Sequence, residues 1–229
     1  MLAESLRSTE DAVEQRRARL RRRLSTGPIL VAPGAHDALT VLLVERAGFE
    51  AVYFSGAGLS YTLLARRDMG LLTMSEMAER VAYVAAATRL PVIADADTGY
   101  GGEENVARTV RAYARAGAAA LQIEDQEWPK RCGHLEGKRL VPVDEMVARI
   151  RAACAARPSP DFLVIARTDA RAVEGLDAAI ARAASLQGGG RRRPVRRGPG
   201  ERRRARRDQP GAARSPHGEH GRGRAHTAG

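Results

Sequence analysis

Five short apolar runs, Ile29–Ala32, Ala51–Phe54, Val92–Ala94, Ala120–Ile123 and Phe162–Ala166, alternate with longer helical patterns along the chain. That alternation marks repeated βα units and a parallel sheet, so the fold class it predicts is α/β. The helical patterns begin with His36–Ala47, whose apolar side is Leu39, Leu42, Leu43 and Ala47 and whose stop is Gly48. They continue with Ser75–Ala87, with Glu103–Ala116 ended by Gly117, and with Val143–Ala156 behind Pro142. Every run ends in polar or small residues: Pro33 to Asp37, Ser55 to Gly58, Asp95 with Asp97, Glu124 with Asp125, and Arg167 to Asp169. Chemistry gathered at the carboxyl ends of successive parallel strands is where a βα barrel carries its active site.

The net charge of +11 invites a nucleic-acid partner, but thirteen Arg against three acids fall within residues 188–229, which leaves the rest of the chain close to neutral. In that tail Val195 is the one large aliphatic side chain and aromatics are absent. Burial there does not offset the entropy of ordering, so a disordered basic tail is expected. Without aromatics for base stacking, nucleic-acid binding is disfavoured. Residues 1–25 read as a charged helix with no apolar h-region, so neither export nor a membrane is expected. Cys132 and Cys154 sit in different settings and give no disulfide framework, which fits a reducing cytoplasm. The expected organisation is therefore a helix over 1–25, a catalytic domain over 26–187 and a basic tail over 188–229.

Two motifs carry chemistry. In Asp95-Ala96-Asp97-Thr98-Gly99-Tyr100-Gly101-Gly102, carboxylates at i and i+2 point to one side of an extended chain, and the glycines let the backbone turn at the strand's end. Hard oxygen ligands at such a terminus suit Mg²⁺, with helix capping as the alternative. Glu124 offers a third carboxylate at the end of the next strand. In Lys130-Arg131-Cys132-Gly133-His134 a thiol lies between a cation and an imidazole, a setting that can make it a proton donor or nucleophile. A simple loop thiol is the alternative. Cys154, inside a helical pattern, is expected to be a packing residue.

Residues 26–184 resemble the isocitrate lyase and phosphoenolpyruvate mutase superfamily, particularly its smaller methylisocitrate lyase-like, dimethylmalate lyase-like and carboxyphosphonoenolpyruvate mutase-like members. The motifs are Tyr53-Phe54-Ser55-Gly56-Ala57-Gly58, Asp95 to Gly101, Ile123-Glu124-Asp125-Gln126, Pro129 to His134, and Ala166-Arg167-Thr168-Asp169-Ala170. The resemblance implies a (β/α)8 TIM barrel, of which five βα units are present here. It also implies Mg²⁺ as cofactor, with Mn²⁺ as the alternative metal, and a small carboxylic acid as substrate. In its terms Asp95 binds the metal with Asp97 and Glu124 in support. Ser55 with the amides of Gly56 and Ala57 clamps the substrate carboxylate, and Arg167 and Tyr53 meet the 2-oxygen. Cys132, on a loop with Lys130 and His134, protonates the departing carbanion, while Asp68 is the acidic loop residue near the substrate.

The thiol favours a lyase that cleaves a 2-hydroxy di- or tricarboxylic acid to pyruvate or another 2-oxo acid through an enolate. A phosphonomutase, an oxaloacetate decarboxylase-like enzyme, an inactive chain and nucleic-acid binding through the tail stand as alternatives. The resemblance further implies three more strands and subunits that associate with copies of themselves. Residues 192–207 and 217–224, re-read in the neighbouring frame, permit segments similar to the family's sixth and seventh strands. A reading-frame shift near Ala184–Gly190 is therefore the expected origin of the tail.

Overall fold

The structure, a computed structural model, describes residues 2–189. The basic tail, with its expected disorder, its nucleic-acid alternative and its origin in a shifted frame, lies outside the described residues from 190 onward. Five parallel strands in the order β1 (Gly34–Ala35), β2 (Val52–Phe54), β3 (Val92–Asp95), β4 (Ala120–Glu124) and β5 (Leu163–Arg167) form the sheet. The helices are α1 (Leu2–Ser25), α2 (Ala38–Arg46), α3 (Gly56–Leu64), α4 (Met74–Ala87), α5 (Glu103–Arg115), α6 (Val143–Ala155), α7 (Ala170–Val173) and α8 (Leu176–Gly189). Consecutive strands are neighbours and are joined through helices, which is the βα repeat anticipated from the apolar runs.

The two-residue period of a strand sorts its side chains between two faces. Val52, Phe54, Val92, Ala94, Leu121 and Ile123 join the large core beneath the helices, where each fully buried large apolar side chain contributes about 1.5–3 kcal/mol. Ile93 and Ala120 on the opposite, concave face form a second cluster with Leu20, against which Tyr53, Leu163 and Ile165 pack. Helix α1 reaches this cluster through Leu20. It is held by Arg17, whose guanidinium donates to Ala118 O and Ala114 O and lies 5.3 Å from the centre of the Phe162 ring.

Three local expectations are corrected. Ile29–Ala32 is not a strand; the ladder begins only at Gly34, with Tyr53 N donating to Pro33 O. Pro28 and Pro33 lack the N–H that would extend pairing along this edge. Helix α2 buries Val41 and Val44, while Leu39, Leu42 and Leu43, expected to face the core, are 68%, 39% and 56% exposed. With apolar residues all around the helix, periodicity had no face to select. Helix α3 was not anticipated, because Gly56 and Gly58 at its first turn read as a loop. Ser55 starts it as an N-cap, its Oγ accepting from Gly58 N at 3.1 Å.

Candidate active site

The concave face ends in polar side chains. Register pairs Asp95 with Gln122 and Glu124 with Arg167, so Tyr53, Asp95, Gln122, Glu124 and Arg167 share one side of the sheet at or near its carboxyl end. Gln122 Nε2 donates to Tyr53 Oη at 2.9 Å. Burial, reinforced by the Asp95 carboxylate, pushes the Tyr53 phenol far up, so it keeps its proton and acts as a donor. Arg167 lies 3.3 Å from Glu124 and 3.1 Å from Asp169.

The turn after β3 is held tightly. Asp97 and Tyr100 have φ of 49° and 62°, and a Cβ on Gly99, whose φ is 90°, would meet Val106 Cγ2 at 2.4 Å. This turn directs the Asp97 N–H to Asp95 Oδ1 at 3.1 Å, while the Gly56 N–H donates to Asp95 Oδ2 at 3.1 Å. Asp95 approaches closely here: a Cβ at position 56 would lie 3.1 Å from Oδ2, tighter than an ordinary contact. The Gly56 amide, expected in a clamp with Ser55 and Ala57, is thus committed to Asp95. The Ser55 hydroxyl oxygen serves as the cap of α3.

Lys130, expected beside the thiol, points its ammonium at two carboxylates instead: Asp97 Oδ1 at 2.5 Å and Asp68 Oδ1 at 2.6 Å, all nearly buried. Asp97 and Asp68 are thus both buried anions paired with Lys130. Cys132 is half-buried and His134 is exposed on the same loop. The loop lies against the site: a Cβ on Gly133 would lie 2.2 Å from an Arg167 terminal nitrogen, so the residue after Cys132 rests close on that guanidinium.

Among residues given no role by the sequence, Asp125 is fully buried and accepts from Thr168 Oγ1 at 2.6 Å and Asp169 N at 2.9 Å. Arg182 of α8 stands 3.5 Å from it. That network fixes the turn after β5. Gln126 is also buried and bonded to Glu124 and Asp169. An uncharged amide between acids gave little signal at 126, although Gln122 interrupts an apolar strand on the face that carries Glu124.

Among the described residues no group of three His, Cys, Asp or Glu converges as a metal cage. A Mg²⁺ site needs less, since that ion keeps most of its waters and takes one or two carboxylates. Asp95 spends two acceptor sites on amides and a carboxylate has about four, so it retains lone pairs for a cation. Burial pushes Glu124 up to about 8 even though Arg167 and Lys130 oppose the shift, and Asp95 and Asp169 add to it. These oxygen donors fit a hard divalent cation.

A pH signature follows. Because the folded Glu124 holds its proton up to about 8 against an ordinary value of 4.5, the folded state binds more protons between those limits. In the presence of EDTA, this group therefore makes stability fall as pH rises from about 4.5 to about 8. Urea unfolding across that range is expected to show the decline, Glu124→Gln to remove it, and Mg²⁺ to flatten it by favouring the ionised carboxylate.

A family model described as phosphoenolpyruvate phosphomutase matches residues 20–190. The 2,3-dimethylmalate lyase of Eubacterium barkeri is 52% identical over 165 residues, covering 72% of this chain and 57% of the relative. The 2-methylisocitrate lyase of Aeropyrum pernix is 52% identical over 164 residues, covering 72% of this chain and 52% of the relative. This chain thus spans little more than half the length of these relatives. Among solved structures, phosphonopyruvate hydrolase in complex with oxalate and Mg²⁺ aligns with a TM-score of 0.67 at 35% identity, covering 80% of this chain and 60% of the other.

Proposed function

The chain belongs to the phosphoenolpyruvate mutase and isocitrate lyase superfamily, and from that premise we propose that it carries the pyruvate-holding part of a Mg²⁺-dependent carbon–carbon lyase site. The observation that carries this reading is the row Tyr53, Asp95, Glu124 and Arg167 along one face of the sheet, with the Cys132 loop resting on Arg167. Five βα units of the PEP mutase-type barrel supply all of these groups. The substrate is a 2-hydroxy di- or tricarboxylic acid of the methylisocitrate or substituted malate type.

Asp95, with Glu124 beside it, would hold the cation, whose chemistry is to stabilise negative charge developing at the substrate's 2-oxygen. Arg167 offers a fixed guanidinium and Tyr53 a retained phenolic proton toward that same oxygen. These are donors aimed at where charge develops, which is where preorganised groups matter most. As the 2-hydroxyl proton passes to solvent water, the C2–C3 bond breaks and C2 becomes the carbonyl carbon of pyruvate. The electron pair left on C3 is shared with its own carboxylate as an enolate, and Cys132 delivers the proton that completes the second acid. Lys130 has a supporting part, since its ion pairs with Asp68 and Asp97 fix the loop that bears the thiol.

Product analysis tests this. With Mg²⁺, 2-methylisocitrate or 2,3-dimethylmalate should yield pyruvate and a second acid in equal amounts. Turnover of phosphonopyruvate or oxaloacetate with neither lyase substrate cleaved would favour the other branches of the family.

A further inference from the structure

The loop bearing Cys132 leaves the sheet after β4 and returns at Val141. Its base is closed by a bridge between Gln126 and Leu140, by Glu127 N donating to Arg139 O at 2.9 Å, and by Val141 N donating to Asp125 O at 3.0 Å. Its tip holds its own shape: Lys138 Nζ donates to Gly133 O and Leu135 O at 2.7 and 2.8 Å, and Leu135 N to Cys132 O at 2.8 Å. None of those bonds ties the tip to the strand ends.

The Gln126 side chain does. It is 1% exposed, and its Oε1 accepts the Arg131 N–H at 3.0 Å while its Nε2 lies 2.9 Å from Arg131 O. It therefore pairs with the Arg131 backbone as a neighbouring strand would. The same Nε2 lies 2.9 Å from Glu124 Oε1 and 2.8 Å from Asp169 Oδ2. A primary amide has two hydrogens. Three acceptors share them, so the backbone link at Arg131 depends on where the two carboxylates stand.

We propose that Gln126 is a positioning residue of the Cys132 loop: its amide ties the Arg131 backbone to Glu124 at the end of β4 and Asp169 just after β5, and so holds the neighbouring Cys132–Gly133 segment against Arg167. The proposal deepens the lyase reading and rests on it for the thiol's catalytic part. The clamp itself is structural and can be read without turnover. Glutamine suits the position because it donates and accepts at once. Leucine fills the space without either bond, and glutamate puts a third carboxylate beside two others.

The test uses the full chain with Cys154→Ala, so that alkylation by iodoacetamide reports Cys132 alone, together with tryptic cleavage after Arg131. Gln126→Leu and Gln126→Glu should each speed both reactions about tenfold or more with the circular dichroism spectrum unchanged, because the tie that suppresses local opening is gone. In the parent chain, hydrogen exchange at the Arg131 amide should be slowed relative to that of Glu136; exchange at the free rate overturns the clamp whether or not the variants fold. Turnover separates the two claims. Pyruvate release should fall about 10–100-fold in kcat with KM little changed, the range seen when a supporting partner of an active group is lost. Faster alkylation in the variants with no turnover in the parent chain keeps the clamp and removes the lyase reading. Unchanged alkylation and cleavage in folded variants removes the clamp.

Discussion

Replacing Cys132 with alanine is expected to slow carbon–carbon cleavage by about 10²–10⁴-fold, the usual contribution of a positioned general acid. Gly133 lies against Arg167, so the half-buried Cys132 is one residue from the polar row. Once the C2–C3 bond has broken, a proton must reach C3 from a group on that side. His134, the other candidate donor on the tip, is exposed. Oxalate, which needs no proton, should bind Cys132→Ala as it binds the parent chain. Serine at this position should not restore the rate, because its hydroxyl is a far weaker acid than a thiol. Full turnover in Cys132→Ala would move the proton donor elsewhere.

The second large effect concerns folding stability. Lys130→Met should destabilise the protein by about 3–5 kcal/mol, the cost of stripping a buried charge of its partner. Lys130 has a side chain 3% exposed and sits between two carboxylates that are 10% and 8% exposed. Removing the ammonium leaves Asp68 and Asp97 facing each other in a poorly solvated space. Burial already pushes the Asp97 carboxyl up, against the pull of Lys130 and with Asp95 adding to the push. Acidification should therefore protonate Asp97 in the variant and narrow the gap to the parent chain, and Lys130→Met with Asp97→Asn should recover part of the loss. Urea midpoints at two pH values decide it. A gap that stays constant with pH would mean that lost packing, not uncompensated charge, is the cause.

The sheet was legible because its strands are short, mostly apolar runs, and four of the five lie within a residue or two of their expected places. β1 was displaced because prolines stop its ladder, and the α2 face was misassigned because leucines and valines surround that helix. At the site, the residues ending strands stood out by their contrast with what precedes them: Asp95, Glu124 and Arg167 all lie where the runs stop. Long-range pairing was hidden. Nothing local in Lys130-Arg131-Cys132 tells that the lysine turns away from the thiol toward Asp68 and Asp97. The Gly56 amide likewise looked free until Asp95 was seen to occupy it. Gln126 closes a motif but, flanked by acids and bearing no charge, showed no role of its own, and its part emerged only from the convergence of β4, β5 and the loop.

The central claim is a cation-dependent anion site at the strand ends, and the most direct measurement is calorimetric titration of the chain with oxalate, a planar dianion offering adjacent oxygens as the enolate form of pyruvate does. With Mg²⁺ present, one oxalate should bind per chain. With EDTA, or with Asp95→Asn in Mg²⁺, affinity should drop about 10–100-fold or more, as expected when a metal's support is removed. Oxalate binding of equal strength with and without Mg²⁺, or undiminished in Asp95→Asn, would contradict the account.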